Sequence, residues 1–189
     1  MLSMFLMFNL SAQEPVDEAR DSMKVEIKAT STKKKRELAP GMKDSSYLAN
    51  ARIYNSLGDA MKDPSKVYKF QLAYLDDLRR IPEELFELYN IQILEIRFLP
   101  RLMEIPVGIK KLKHLQKLYI NETGITFIPK EISELKYLEV LDLSQNKLRL
   151  LPKEIGEMKN LEQLMLFANN LEGLPSELAK IKSLKSLEV

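Results

Sequence analysis

The chain has 189 residues, of which 45% are hydrophobic and 30% charged, a balance typical of one soluble domain, or one domain plus a tail. Lys and Arg number 29 and Asp and Glu 27, so the net charge is too small to favour nucleic acid or an acidic membrane as a partner. The absence of cysteine excludes disulfides, thiolate zinc sites and cysteine nucleophiles.

The first segment, residues 1–12, reads MLSMFLMFNLSA and is apolar with a small-residue end. This pattern predicts a signal peptide cleaved after Ala12, although no Lys or Arg occurs before Arg20 to supply its usual positive start. The alternative is an apolar helix or tail packed on the domain. A stretch of about ten apolar residues is too short to span a membrane.

Residues 13–44 are rich in charges of both signs. Such composition predicts a mobile leader. The alternation of Val25, Ile27 and Ala29 leaves a second interpretation open, in which this segment adds a strand to the first edge of a sheet.

Residues 45–62 show the apolar spacing of a helix, with Ser45 or Ser46 as a possible cap. We predict one helix here that caps the N-terminal end of the domain. Its apolar positions are Leu48, Ala51, Tyr54, Leu57 and Met61.

The remainder of the chain, residues 67–189, is a repeat array. A proline preceded by Ile or Leu recurs at spacings of 24, 23, 23 and 23 residues. Leucines and isoleucines recur between these prolines in one frame, giving about five units and a final strand. The prolines are Pro82, Pro106, Pro129, Pro152 and Pro175.

One complete unit is LEVLDLSQNKLRLLPKEI, residues 138–155. Leu141 and Leu143 flank one residue, the spacing of a short strand that buries both leucines. Pro152 has a backbone angle suited to the first turn of a helix, and Glu154 favours the positive end of its dipole. Each unit is therefore predicted to place a strand on one side and a short helix on the other.

The unit L-x-x-L-x-L-x-x-N-x-L resembles the leucine-rich-repeat family, and its L-P-x-x-I continuation resembles the 23-residue class of bacterial and Ras-group repeat proteins. The resemblance covers residues 67–189. It implies an α/β solenoid, a right-handed superhelix with a concave parallel β-sheet and short α or 3₁₀ helices on the convex side.

Polar residues after the strands are predicted to form a structural ladder. An asparagine amide at Asn146 can bond the backbone groups that a sharp turn leaves unpaired, and Asn169 repeats this position in the next unit. Thr123 occupies the equivalent position one unit earlier.

The exposed strand positions define the predicted ligand-binding site. Aromatic, sulfur-bearing and charged residues on a concave sheet are typical of protein-binding surfaces. These side chains could instead only cover neighbouring strands. The site residues are Tyr74, Glu95, Arg97, Phe98, Lys117, Tyr119, Asn121, Asp142, Gln163, Met165 and Phe167.

No phosphate-binding loop, metal-ligand spacing or nucleophile elbow occurs, so we predict no catalytic residue, cofactor or metal. The sequence favours a non-catalytic module that binds a protein or peptide, exported by a bacterium and therefore secreted, periplasmic or at the cell surface. The alternative is a cytoplasmic signalling scaffold like the Ras-group proteins. The chain ends inside a strand at Val189, which predicts an uncapped C-terminal edge. Three interpretations stay open: the array continues in a longer protein, two chains associate end to end through this edge, or the last coil frays.

Overall fold

The computed structural model describes residues 38–189 and the backbone of residues 24–26. Predictions for residues 1–12 lie outside this part of the chain. Its eight strands are β1 (Lys24–Glu26), β2 (Ile53–Tyr54), β3 (Lys69–Ala73), β4 (Ile93–Leu99), β5 (Lys117–Thr123), β6 (Val140–Asp142), β7 (Gln163–Met165) and β8 (Ser186–Glu188).

These strands form one sheet in the order β1-β8-β7-β6-β5-β4-β3-β2. Strands β2 to β8 are parallel, and β1 is antiparallel to β8. Each coil of the repeat contributes one strand, and equivalent leucines stand side by side: Leu118 pairs with Leu141, and Leu141 with Leu164. The predicted solenoid with a parallel sheet is confirmed.

The core is a continuous column of apolar side chains that runs through all the coils. Within the coil of residues 138–158, Leu138, Leu141, Leu143 and Leu148 are fully buried. Burial contributes about 1.5 to 3 kcal/mol for each such side chain, so this column is the main source of stability.

The side opposite the sheet consists of short 3₁₀ helices, one per coil, and all except the first, which begins at Pro64, come directly after a repeat proline. The proline is the residue before the helix rather than part of its first turn, and its carbonyl accepts the first helical bond, as Pro152 does from the amide of Ile155 at 3.1 Å. Proline suits this position because no bond needs its missing N–H. The helices are Pro64–Lys66, Glu83–Glu87, Val107–Lys111, Lys130–Glu134, Lys153–Glu157 and Ser176–Lys180.

The predicted single capping helix over residues 45–62 is wrong. Two short helices, α1 (Ser45–Asn50) and α2 (Leu57–Ala60), flank strand β2 instead. Ala51 is extended and ends α1, while the Ser56 hydroxyl accepts a bond from the amide of Asp59 and starts a new helix. Backbone pairing of β2 with β3 replaces the helical bonds between them.

Residues just before α1 are tied to the array by a buried amide. Gln92 is fully buried, accepts a bond from the Lys43 amide at 2.6 Å and donates one to the Lys43 carbonyl at 2.8 Å. The Lys43 ammonium also lies over the rings of Tyr47 and Tyr68, 5.1 and 5.4 Å from their centroids. These contacts fix the N-terminal segment to the coil that contains β4.

Part of the leader is a strand, and it lies at the opposite edge from the one considered above. Residues 24–26 pair with the last strand, β8, rather than with the first edge of the sheet at β2. The C-terminal edge is therefore occupied, and the prediction that it is uncapped is wrong. The alternation of Val25, Ile27 and Ala29 indicated a strand, but nothing in the local sequence identifies a pairing partner so far away along the chain.

Close stacking of the 3₁₀ helices predicts an effect at Gly156. A Cβ atom there would lie 2.4 Å from the carbonyl oxygen of Glu177 in the next coil, so backbone would have to move. We expect Gly156→Ala to lower the free energy of unfolding by about 1 to 3 kcal/mol, measured by urea titration. Gly173→Ala is the control, because a Cβ there meets nothing within 4 Å. Equal effects of the two changes would contradict the stacking.

Candidate functional site

The candidate site is the face of the sheet opposite the core, which we call the concave face. Along each strand alternate side chains enter the core, and those between them point outward. Parallel register then aligns the outward residues of neighbouring coils in columns. Tyr119 stands beside Glu95 on one side and Asp142 on the other, and Asp142 beside Met165.

A polar cluster lies on strands β3 to β5. Gln71 donates to Glu95 at 3.2 Å, and Nε of Arg97 is 3.4 Å from Oε2 of Glu95, an ion-pair distance without hydrogen-bond geometry. The Arg97 guanidinium lies over the Tyr119 ring, 5.3 Å from its centroid. These contacts hold Arg97 and Tyr119 in fixed positions, which reduces the side-chain entropy lost when a partner binds.

The Tyr119 hydroxyl is neutral in this setting. Burial raises its pKa above the ordinary tyrosine value, the nearby Glu95 carboxylate adds to the increase, and Arg97 partly opposes it. The hydroxyl therefore keeps its proton and can donate a hydrogen bond to a bound partner.

A stacked aromatic pair stands where the first two long strands end. The rings of Tyr74 and Phe98 are 4.7 Å apart and nearly parallel, at 12°. Both residues have left-handed backbone, with φ of 60° and 55°, and Glu122, Gln145 and Ala168 repeat this conformation in later coils. The turn directs these side chains away from the core, and Tyr74 is 71% exposed. Exposed aromatic pairs of this kind are suitable anchors for a partner.

Asn121 differs from its predicted place on the exposed surface. Its side chain is 7% exposed, and Oδ1 has no hydrogen-bond partner among the described residues. It is flanked in register by Arg97, which limits its access to solvent. Ser144, two residues beyond Asp142, is fully buried, and within the described part of the chain its hydroxyl has no hydrogen-bond partner. Asn121 therefore supports the surface from below rather than contributing to it directly.

The other predicted site residues lie on the concave face at different depths. Gln163 is exposed. Those that are half-buried are Glu95, Arg97, Phe98, Lys117, Tyr119, Asp142, Met165 and Phe167. The structure thus brings the predicted residues onto one continuous surface across five coils, with Asn121 beneath it.

The ladder residues bond the turns that follow the strands. Asn146 donates to the carbonyls of Ile120 at 2.7 Å and Leu143 at 2.8 Å and accepts from the amide of Thr123 at 3.1 Å. The Thr123 hydroxyl also donates to Asn146, at 2.5 Å. One coil later Asn169 donates to Leu143 and Leu166 and accepts from Leu148. These bonds hold the turns that carry the left-handed residues.

Two features of the site were not predicted from the sequence. Gln71 positions Glu95, a role that the register of β3 with β4 reveals only once the strand pairing is known. The buried Ser144 has no sequence signal, because its burial depends on side chains of neighbouring coils.

Within the described residues, no three His, Cys, Asp or Glu side chains are grouped so that they could hold a metal ion, and no helix could cross a membrane.

The fold and this surface define a class, a solenoid repeat protein with one parallel sheet whose outer face is lined by aligned side chains. Residues 107–189 match the family model described as "Leucine-rich repeat region". Residues 107–189 are therefore a leucine-rich-repeat region, and the coils before them continue the same parallel sheet. A search of the curated proteins found no match.

Solved structures of similar fold include a plant ice-binding protein, with 28% sequence identity, a TM-score of 0.54, and 64% of this chain and 40% of that chain covered. A chain of the BIR3–SERK2 complex from Arabidopsis thaliana has 33% identity and a TM-score of 0.52 over 59% of this chain and 62% of that chain. An internalin from Listeria monocytogenes, at 17% identity and a TM-score of 0.50 over 66% of this chain and 42% of that chain, shows the fold alone. The chain matches less than two thirds of the length of each.

Proposed function

We propose that this chain binds a protein or peptide on its concave face and has no catalytic role. The observation that carries the proposal is the alignment of aromatic, apolar and charged side chains in register across consecutive coils. Strand pairing places Glu95, Tyr119, Asp142 and Met165 in one continuous column. The similarity to a chain of the BIR3–SERK2 complex, a protein assembly, supports a protein as the partner.

The chemistry of this surface suits a macromolecular partner. Its anchors are half-buried and lie in two coils, with Tyr119 on β5 and both Met165 and Phe167 in the coil that contains β7. An extended row of anchors separated by charged groups can contact a long segment or a folded surface at several points. Arginine and tyrosine, which meet here at Arg97 and Tyr119, are among the residues that contribute most to binding at protein interfaces.

We expect a triple change of Tyr119, Met165 and Phe167 to serine to weaken binding at least ten-fold, because each removes an apolar anchor from the surface. The probe is a peptide selected from a displayed library on the folded wild-type chain, with affinity measured by calorimetry. The control is Phe127→Ser with Leu150→Ser, which removes two apolar side chains, 50% and 61% exposed, away from the strands. Unchanged affinity in the triple variant, with an unchanged melting temperature, would exclude the concave face.

We further propose that the protein is exported by a bacterium. The apolar residues 1–12 with a small-residue end, and the absence of cysteine at any position, support this proposal. We expect mass spectrometry of the native protein to find an N-terminus at Gln13. An intact Met1 in the native cell would instead favour a cytoplasmic scaffold of the Ras-group kind.

A further inference from the structure

The outer edge of β8 is a strand-acceptor site. It takes β1 in antiparallel orientation, with Lys24 opposite Glu188, Val25 opposite Leu187 and Glu26 opposite Ser186. Every other pairing in the sheet is parallel, so the strand at this edge runs in the direction opposite to the strands of the repeat.

The leader can reach this edge within its own chain. Lys43 is fixed to Gln92, which directly precedes β4, and five strand spacings of about 4.8 Å separate β4 from β1, roughly 24 Å. The chain between Glu26 and Lys43 can span about 55 Å when extended. No second copy is needed to supply β1.

The leader strand only partly protects the last coil. Leu187 remains half-buried, whereas its equivalents Leu141 and Leu164 are fully buried, and Val189 is 39% exposed. A three-residue strand covers little apolar area, and an edge with exposed apolar side chains is prone to pair with another strand.

We propose that the outer edge of β8 is a surface for self-association of this 189-residue chain, and that β1 blocks it from within the same molecule. Two identical strands that meet edge to edge about a two-fold axis must be antiparallel, which is the orientation this edge already accepts. With Leu187 on the axis, Ser186 of each copy stands opposite Glu188 of the other. No like charges face each other in that arrangement, and the half-buried leucines of both copies become covered.

The first test asks whether β1 is in place in the 189-residue chain. Cysteines are introduced as Glu26→Cys with Ser186→Cys, a directly opposite pair about 4.5 to 5.5 Å apart, in a chain with no other cysteine. We expect a disulfide within one molecule. The control, Lys24→Cys with Ser186→Cys, is displaced by two residues to about 7 to 8 Å and should cross-link poorly. Equal cross-linking of the two variants, or linkage mainly between molecules, would overturn the proposal.

The second test removes the block. Val25→Pro disrupts β1 because proline cannot donate a strand hydrogen bond. We expect light scattering to show a monomeric wild type and a dimeric Val25→Pro variant, with a dissociation constant at least ten-fold lower than that of the wild type. Val25→Thr is the matched control, because threonine keeps the backbone N–H and a β-branched side chain, and this variant should stay monomeric. A monomeric Val25→Pro variant, or a wild type that dimerises equally, would refute the blocking role.

The third test identifies the edge used in the dimer. Added to Val25→Pro, Ser186→Lys places a positive charge opposite Glu188 of the second copy, and Ser186→Glu places a negative one there. Opposite charges across a strand pair stabilise it and like charges destabilise it, so we expect dissociation constants lowered and raised by about two- to ten-fold respectively. Shifts of the same sign in both variants would show that the dimer forms elsewhere.

Discussion

Asn146→Ala is expected to lower the free energy of unfolding by about 3 to 4 kcal/mol. The buried amide of this side chain bonds the carbonyls of Ile120 and Leu143 and accepts from both the amide and the hydroxyl of Thr123. Alanine removes the partner of the Ile120 carbonyl and of the Thr123 amide and hydroxyl, whereas the Leu143 carbonyl still accepts from Asn169. Each buried group left unpaired costs about 1 to 3 kcal/mol, so the expected loss lies at the low end of the sum for three groups. Urea titration followed by circular dichroism measures the change.

Asn170→Ala provides the control, because Asn170 is exposed in the next turn. We expect it to change stability by less than about 0.5 kcal/mol. Asn146→Asp separates the two sets of bonds, since a carboxylate can still accept from Thr123 but cannot donate to Ile120 or Leu143. A fully stable Asn146→Asp variant would show that the donated bonds contribute little and would contradict the expected loss.

The sequence predicted the fold of the internal coils well because the same pattern repeats in each of them. Leu118, Leu141 and Leu164 occur in one frame at spacings of 23 residues, so the sequence predicts their alignment as well as their burial. In the structure they are neighbours on adjacent strands and fully buried. A single strand prediction has no such internal check.

Prediction was poorer where the repeat is absent. Leu48, Tyr54 and Leu57 have helical spacing, yet Ile53 and Tyr54 pair with β3, and the strand is selected by a neighbour rather than by the segment itself. The serine that starts the second helix, Ser56, was the only local sign of the interruption. Likewise, the position of β1 depends on β8, far away in sequence.

For the candidate site, the sequence predicted which outward residues align from coil to coil but could not predict how deeply each of them is buried. Alternation along a strand determines which side a residue faces, whereas exposure also depends on the size of the side chains in the adjacent coils. Asn121 shows the difference, since it belongs to the outward set and yet is buried with Arg97 beside it in register. The stacking of Tyr74 and Phe98 could not be predicted from the sequence either, because it follows from a left-handed turn that no residue preference indicates.

Leu141→Ala is expected to lower the free energy of unfolding by about 2 to 5 kcal/mol, since it opens a cavity in the continuous apolar column. Leu141 is fully buried and lies between Leu118 and Leu164 on the adjacent strands, so little local collapse can fill the space. Leu150→Ala, the same chemical change at a side chain that is 61% exposed, should cost less than about 0.5 kcal/mol. Urea titration of both variants measures the difference. Similar losses would mean that Leu141 does not enter the core, and the outward placement of Asp142 beside it would fail as well.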